Sequence, residues 1–195
     1  MQDIRGLYGF RMNEEDKLTY KADDAEPEIL GKSIIEFCAE YSASEMRKMC
    51  ENIYLCNPKR RPFKKEINDC FAAGFCPETK NKVSLKSWSY LFQNQNKQNL
   101  YAYTDYKHGQ RPMINRLYYI MDSNKIDYCY IINLDEEVLE FYIGHQKINQ
   151  ISNRYKSSEL KRCAPCILKL CIPLDYINHN TVSAYIGKMR IYEKY

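Results

Sequence analysis

The alternation of apolar and polar positions is strongest at two places in the chain. Arg5 to Met12 is rich in aromatic and aliphatic residues, the polar run Asn13, Glu14, Glu15, Asp16 follows, and Lys17 to Lys21 resumes an extended pattern. Short apolar runs on either side of turn-forming residues predict a β-hairpin. The second place is sharper. Tyr128 to Ile132 and Val138 to Ile143 flank Asn133, Leu134, Asp135 and Glu136, and predict another hairpin. Cys166 to Leu174 alternates like one further strand.

Helical spacing dominates elsewhere. Ile34, Ile35, Phe37, Cys38 and Tyr41 recur at the period of a helix face. Ser44 is the predicted N-cap of a second helix, whose buried side holds Met46, Met49, Cys50 and Ile53. Pro62 suits the first turn of a third helix reaching to about Ala73, with Gly74 stopping it. Ser84 or Ser87 caps a region containing Trp88, Leu91 and Phe92 that runs on toward Leu100 and Tyr103. Asn180 is the predicted cap of a C-terminal helix with Val182, Tyr185, Ile186 and Met189 on one side. Ala22 to Glu28 has no apolar periodicity and carries Asp23, Asp24, Glu26 and Glu28 around Pro27, so an exposed loop is expected. Hairpins on both sides of a helical middle predict an α+β fold. In it, an antiparallel sheet built from the N-terminal and central hairpins carries packed helices, and residues 1–195 form a single domain.

Composition fits that picture. With 195 residues, 45% of them hydrophobic and 28% charged, the chain has enough apolar surface for one core without disulfide or metal staples. Met1, Gln2, Asp3, Ile4 and Arg5 show neither a basic leader nor an apolar stretch, so no signal or transit peptide is expected. No apolar run approaches the roughly 20 residues of a membrane helix, because Lys169 and Pro173 break the greasiest stretch. A cytoplasmic location in a bacterial host follows as the expectation, with no membrane partner. The nine cysteines are an odd number without regular spacing, and in that compartment they read as reduced thiols packed as small hydrophobes. Eighteen tyrosines stand against seven phenylalanines and one tryptophan. An AT-rich genome accounts for part of this excess, and tyrosine is also a favoured residue of binding surfaces.

Candidate chemistry is sparse. Cys163 and Cys166 form a Cys-x-x-Cys pair, with Cys171 and His179 after it, a set of zinc-ligand type. On a regular strand, however, Cys166 and Cys171 point to opposite sides, so no metal site is expected. His108, His145 and His179 are linked to no cysteine by proximity in the chain, and no nucleophile-elbow sequence is present. The seven glycines form neither GxGxxG nor GxxxxGK, which removes the common phosphate loops. No cofactor is expected. Lys59, Arg60, Arg61, Lys64 and Lys65 gather around two prolines near Tyr54 and Phe63, a pattern that can clamp phosphates and stack bases, or dock a partner. The net charge of +4 is too small to require a polyanionic partner. Asp24 in its acidic loop is a second candidate contact, for a basic partner or a cation.

Two segments carry a resemblance: RGLYGF followed by DKLTY at Arg5 to Tyr20, and YCYIINLDEEVLEFYIG at Tyr128 to Gly144. They are similar to a group of proteins from bacteriophages, prophages and gut bacteria that open RGLYGFR, continue DK-TYNHFDSYPSGLG and later carry YIINLD-LE-Y-G. The likeness extends in order through Asn153, Arg154, Tyr155 and the strand at Cys166. It implies a phage or mobile-element origin rather than an activity. Where the group has Asn-His-Phe-Asp-Ser-Tyr-Pro, this chain has Lys21, Ala22, Asp23, Asp24, Ala25, Glu26 and Pro27, keeping only Asp24 and Pro27. The first strand, with its GxxGF pattern, also resembles that of N-terminal nucleophile hydrolases. Gln2 stands where those enzymes would expose a Cys, Ser or Thr, which argues against their mechanism. The expected function is therefore a non-enzymatic binding protein of a phage or mobile element, directed at a host protein and acting, for example, as an inhibitor of a bacterial defence system. An enzyme of unrecognised type, for example an N-terminal-nucleophile-like amidohydrolase, and a nucleic-acid or nucleotide binder are the alternatives.

Overall fold

The computed structural model describes residues 3–73, 99–105, 109–147, 153–155 and 164–192. The chain opens with the expected hairpin, β1 (Gly6–Met12) and β2 (Glu15–Lys21). Asn13 and Glu14 form its two-residue turn, both at positive φ (53° and 63°). That is the mirror-image geometry whose twist matches paired strands. At Gly9, opposite Leu18, a β-carbon would sit 2.0 Å from the Lys17 carbonyl oxygen, so only glycine lets the strands approach this closely.

Helices follow. A π-helical turn (Pro27–Gly31) leads into α1 (Lys32–Glu40), and α2 (Ala43–Asn52) comes next. Ser42, not Ser44, caps α2: its hydroxyl accepts from the Glu45 amide at 3.3 Å while the Glu45 carboxylate accepts from the Ser42 amide at 2.9 Å. At the other end of α2, Lys17 of β2 donates to the carbonyls of Cys50 (2.8 Å) and Ile53 (2.7 Å), tying the hairpin to the helix terminus. Ile53 is not on the helix but begins β3 (Ile53–Cys56). After α3 (Lys64–Ala72), β4 (Arg111–Ile114) pairs in parallel with β3, from Ile53 opposite Arg111 to Cys56 opposite Ile114. Pro62 lies before Phe63, the residue flanking α3, and so outside the helix. Gly74 and the proposed helical region around Trp88, Leu91 and Phe92 lie outside the described residues, while Leu100 and Tyr103 end up buried in a short 3₁₀ turn.

The second hairpin is β5 (Tyr128–Asn133) and β6 (Val138–Ile143), and β7 (Ile167–Pro173) adds to it. One five-stranded sheet results, in the order β2-β1-β5-β6-β7. The two hairpins meet through β1 and β5, which run parallel, while every other neighbouring pair is antiparallel. The fold is thus α+β. The C-terminal helix α4 (Val182–Ile191) is preceded by Thr181 without a side-chain cap, so Asn180 does not play the role expected of it.

Both faces of the sheet are covered, which explains why Gly6 to Phe10 are all buried. Tyr8, Phe10, Tyr130, Ile132, Leu139 and Phe141 face the helices and join the main core with Ile34, Phe37, Met46 and Met49. Leu7, Leu18, Cys129, Ile131, Tyr142 and Cys166 form a smaller core on the other face. Tyr8, Tyr103, Tyr130 and Tyr142 are among the largest fully buried side chains, so a good part of the tyrosine excess serves packing. Residues 22–28 are not the exposed loop expected, because Pro27 and Glu28 begin the π-helical turn and the rest is only partly exposed. Ala25 and Pro27 are buried, and Tyr130 donates its hydroxyl proton to the Ala25 carbonyl at 2.9 Å. Among the described residues no helix is long and apolar enough to cross a membrane.

Candidate functional site

The basic run spans the connection from β3 into the first turn of α3, where Lys64 and Lys65 lie, and the structure sorts its five cations. Asn57 turns the chain after β3 by accepting the Lys59 amide proton on its side-chain oxygen at 2.8 Å. Arg60 then folds back on Glu66, with Nη1 at 2.7 Å from one carboxylate oxygen and Nη2 on the other. Glu66 also accepts the Phe63 amide proton at 2.7 Å. Burial raises the Glu66 pKa, but Arg60 and the Phe63 amide outweigh it and hold the carboxyl below the ordinary glutamate range. Lys65 pairs with Asp69 at 2.8 Å, and Tyr54 donates to the same carboxylate oxygen at 2.7 Å. Arg60 and Lys65 are therefore largely neutralised within the segment.

What remains outward is a compact face. Phe63 is 63% exposed, with the Arg60 guanidinium 4.0 Å from its ring centroid, and Arg61 and Lys64 are exposed beside it. The backbone at Phe63 is held by Glu66, which accepts its amide proton, beside a buried Pro62, while the exposed ring meets the Arg60 guanidinium.

Lys59 points elsewhere, with its Nζ 5.6 Å from the Tyr118 ring centroid. Both residues line an open cleft of about 390 Å³, together with Leu55, Cys56, Asn115 and Met121. The cleft lies at the carboxyl ends of the parallel strands β3 and β4, where Asn115 donates its amide proton to the Cys56 carbonyl at 3.0 Å. Asp24 is exposed in the loop after β2, and no residue of that loop lines the cleft.

The zinc-ligand set is altered by a β-bulge. Pairing of β6 with β7 runs Phe141 with Leu170 and then Tyr142 with Leu168, leaving Lys169 as the extra residue. Cys171, opposite Glu140, and Cys166 thus share the side of the smaller core, instead of facing apart as regular alternation requires. His179 is exposed in the turn before α4, and Cys163 and His108 lie outside the described residues. Among the described residues no three His, Cys, Asp or Glu side chains gather as a metal site would need. The seven described cysteines all carry thiols. Burial pushes the thiols of Cys38, Cys56, Cys129 and Cys166 well up and that of Cys50 to about 11, which makes them poor nucleophiles. His145 meets Asp127 at 2.8 Å on the surface, a pairing not evident in the sequence.

A polar cluster inside the sheet also escaped the sequence reading. Arg154 donates to both oxygens of Glu140, and Asn133 (2.8 Å) and Tyr142 (2.9 Å) donate to the same carboxylate. Burial raises the Glu140 pKa, yet Arg154 and Asn133 hold it below the usual range. With four donors the carboxylate has no lone pair to spare for catalysis, and its role is to fasten residues 153–155 to the strands. A glutamate between Leu139 and Phe141 was the signal available in the sequence.

Comparison of the chain with protein-family models, with curated proteins and with solved structures finds no match.

Proposed function

We propose that the protein is a non-enzymatic binding protein of a phage or mobile element. It docks on an acidic surface of a host protein through Phe63, Arg61 and Lys64. The observation that carries this reading is the exposed Phe63 ring, with the Arg60 guanidinium stacked on it and its backbone pinned by Glu66. Aromatic and arginine side chains dominate interface hot spots, and an anchor whose backbone is already held loses less entropy on binding. Arg61 and Lys64 supply positive charge that steers an acidic partner. Among the described residues, the raised pKa values of the buried thiols and the fully hydrogen-bonded Glu140 carboxylate make those groups poor nucleophiles and bases, which favours binding over catalysis.

The test uses the full-length protein as bait in a bacterial lysate, followed by reconstitution with the purified partner. The triple variant Arg61→Glu, Phe63→Ala, Lys64→Glu should weaken binding of an acidic partner by about 100-fold, the size of a lost hot spot. Equal binding by wild type and variant overturns the docking face. Submicromolar binding of a defined oligonucleotide that the same variant abolishes overturns the partner class.

A further inference from the structure

We infer that the cleft at the carboxyl ends of β3 and β4 binds a nucleoside phosphate. The chain diverges beyond the ends of the two-stranded sheet β3-β4 and leaves strand-end backbone and loop side chains around a hollow, the concave setting in which small ligands bind. The volume of about 390 Å³ lies in the range of small-molecule sites and suits a mononucleotide.

Its walls divide by chemistry. Leu55 and Met121 supply apolar surface, and the Tyr118 ring supplies a flat face. That ring is positioned by Arg116, whose Nη1 donates to the Tyr118 hydroxyl at 2.8 Å. A nucleobase stacks on such a ring, and the side-chain NH2 groups of Asn57 and Asn115, whose oxygens accept from the Lys59 and Leu117 amides, can donate to acceptors on base or sugar. Lys59 holds its Nζ over the Tyr118 ring, 5.6 Å from the centroid, so a base that stacks there displaces the ammonium, whose flexible stem lets it follow to the phosphate attached to that base. No carboxylate is among the residues lining the cleft, so its charge is complementary to an anion. This site is separate from the docking face: Lys59 and Tyr118 line the cleft, whereas Phe63, Arg61 and Lys64 do not.

Isothermal titration of the full-length protein with AMP, GMP, CMP and UMP, their triphosphates, adenosine, inorganic phosphate and a single-stranded oligonucleotide tests the assignment. At least one mononucleotide should bind, with adenosine and inorganic phosphate each weaker by about tenfold or more, because each keeps only half of the recognition. Lys59→Glu and Tyr118→Ala should each weaken the mononucleotide by about tenfold, the worth of one stacked base or one phosphate contact. Tyr118→Phe keeps the ring and should retain binding, which separates lost stacking from lost folding. The triple variant of the docking face should bind the mononucleotide like wild type, so failure of one site is distinguishable from failure of the other. No binding by any mononucleotide overturns the inference, as does binding that Lys59→Glu leaves unchanged. An affinity that rises with oligonucleotide length and exceeds that of the monophosphates assigns the cleft to nucleic acid instead and overturns it too.

Discussion

Arg154 grips Glu140 with two hydrogen bonds, of 2.9 and 2.6 Å, from a loop that packs beneath the strand carrying the carboxylate. The glutamate is almost fully buried, and its charge is compensated by this one cation and two neutral donors, Asn133 and Tyr142. Arg154→Ala leaves a buried carboxylate without its cation and should destabilise the fold by about 3 kcal/mol. Urea denaturation measures it, and a loss below about 0.5 kcal/mol, the level of an ordinary surface change, would sink the argument.

The neighbouring Asp16 titrates in the opposite sense. Burial raises its pKa, and the attraction of Arg154 and Arg11 only partly offsets that. A folded-state value above the unfolded one means the native protein binds the extra proton, so the cost of the ionised form fades as pH falls from neutral through the raised value. Glu140, depressed in the fold, contributes stability above its unfolded pKa that is lost as pH falls through its folded one. Between pH 7 and about 4, wild type should therefore gain stability relative to Asp16→Asn and, toward the acid end, lose it relative to Glu140→Gln. Chemical denaturation at several pH values reads both differences, and parallel trends would contradict the assignment.

The hairpins were legible because alternation and turn residues are local: Asn13, Glu14 and the Asn133 to Glu136 run mark their own reversals. The parallel pairing of β1 with β5 is not written in either strand, since it depends on how the intervening helices return the chain. β3 and β4 are only four residues each, too short for a period, and Ile53 continues the apolar spacing of α2. That is why it reads as helix. The basic run was visible, but its division was not, because the partners of Arg60 and Lys65, Glu66 and Asp69, become neighbours only once α3 forms. The cleft needs Tyr118 and Lys59, which local patterning cannot bring together.

The choice of cap separates two serines two residues apart. Ser42→Ala breaks the reciprocal pair with Glu45 and should cost about 1 kcal/mol. Ser44→Ala removes no cap contact and should stay within about 0.5 kcal/mol of wild type. Thermal or urea unfolding of the two variants decides between them, and a larger loss for Ser44→Ala would return the cap to that position.

Thiol reactivity gives the last prediction and ties the bulge at Lys169 to a measurement. Among the described cysteines, Cys38, Cys50, Cys56, Cys70, Cys129 and Cys166 are buried and Cys171 is exposed. Burial, with Glu140 nearby, raises the Cys171 pKa, so even this thiol should react more slowly than an ordinary surface cysteine. In a Cys76→Ser, Cys163→Ser background, an aromatic disulfide reagent should label one thiol in the native state and the other six only after denaturation. Cys171→Ser should abolish the native signal. Prompt labelling of three or more thiols would show that the cores are not closed as described. Elemental analysis of the chain with all nine cysteines completes the test, since the expectation there is no bound zinc. One zinc per chain, lost on Cys163→Ser or Cys166→Ser, would show that the shared orientation of Cys166 and Cys171 serves a metal after all.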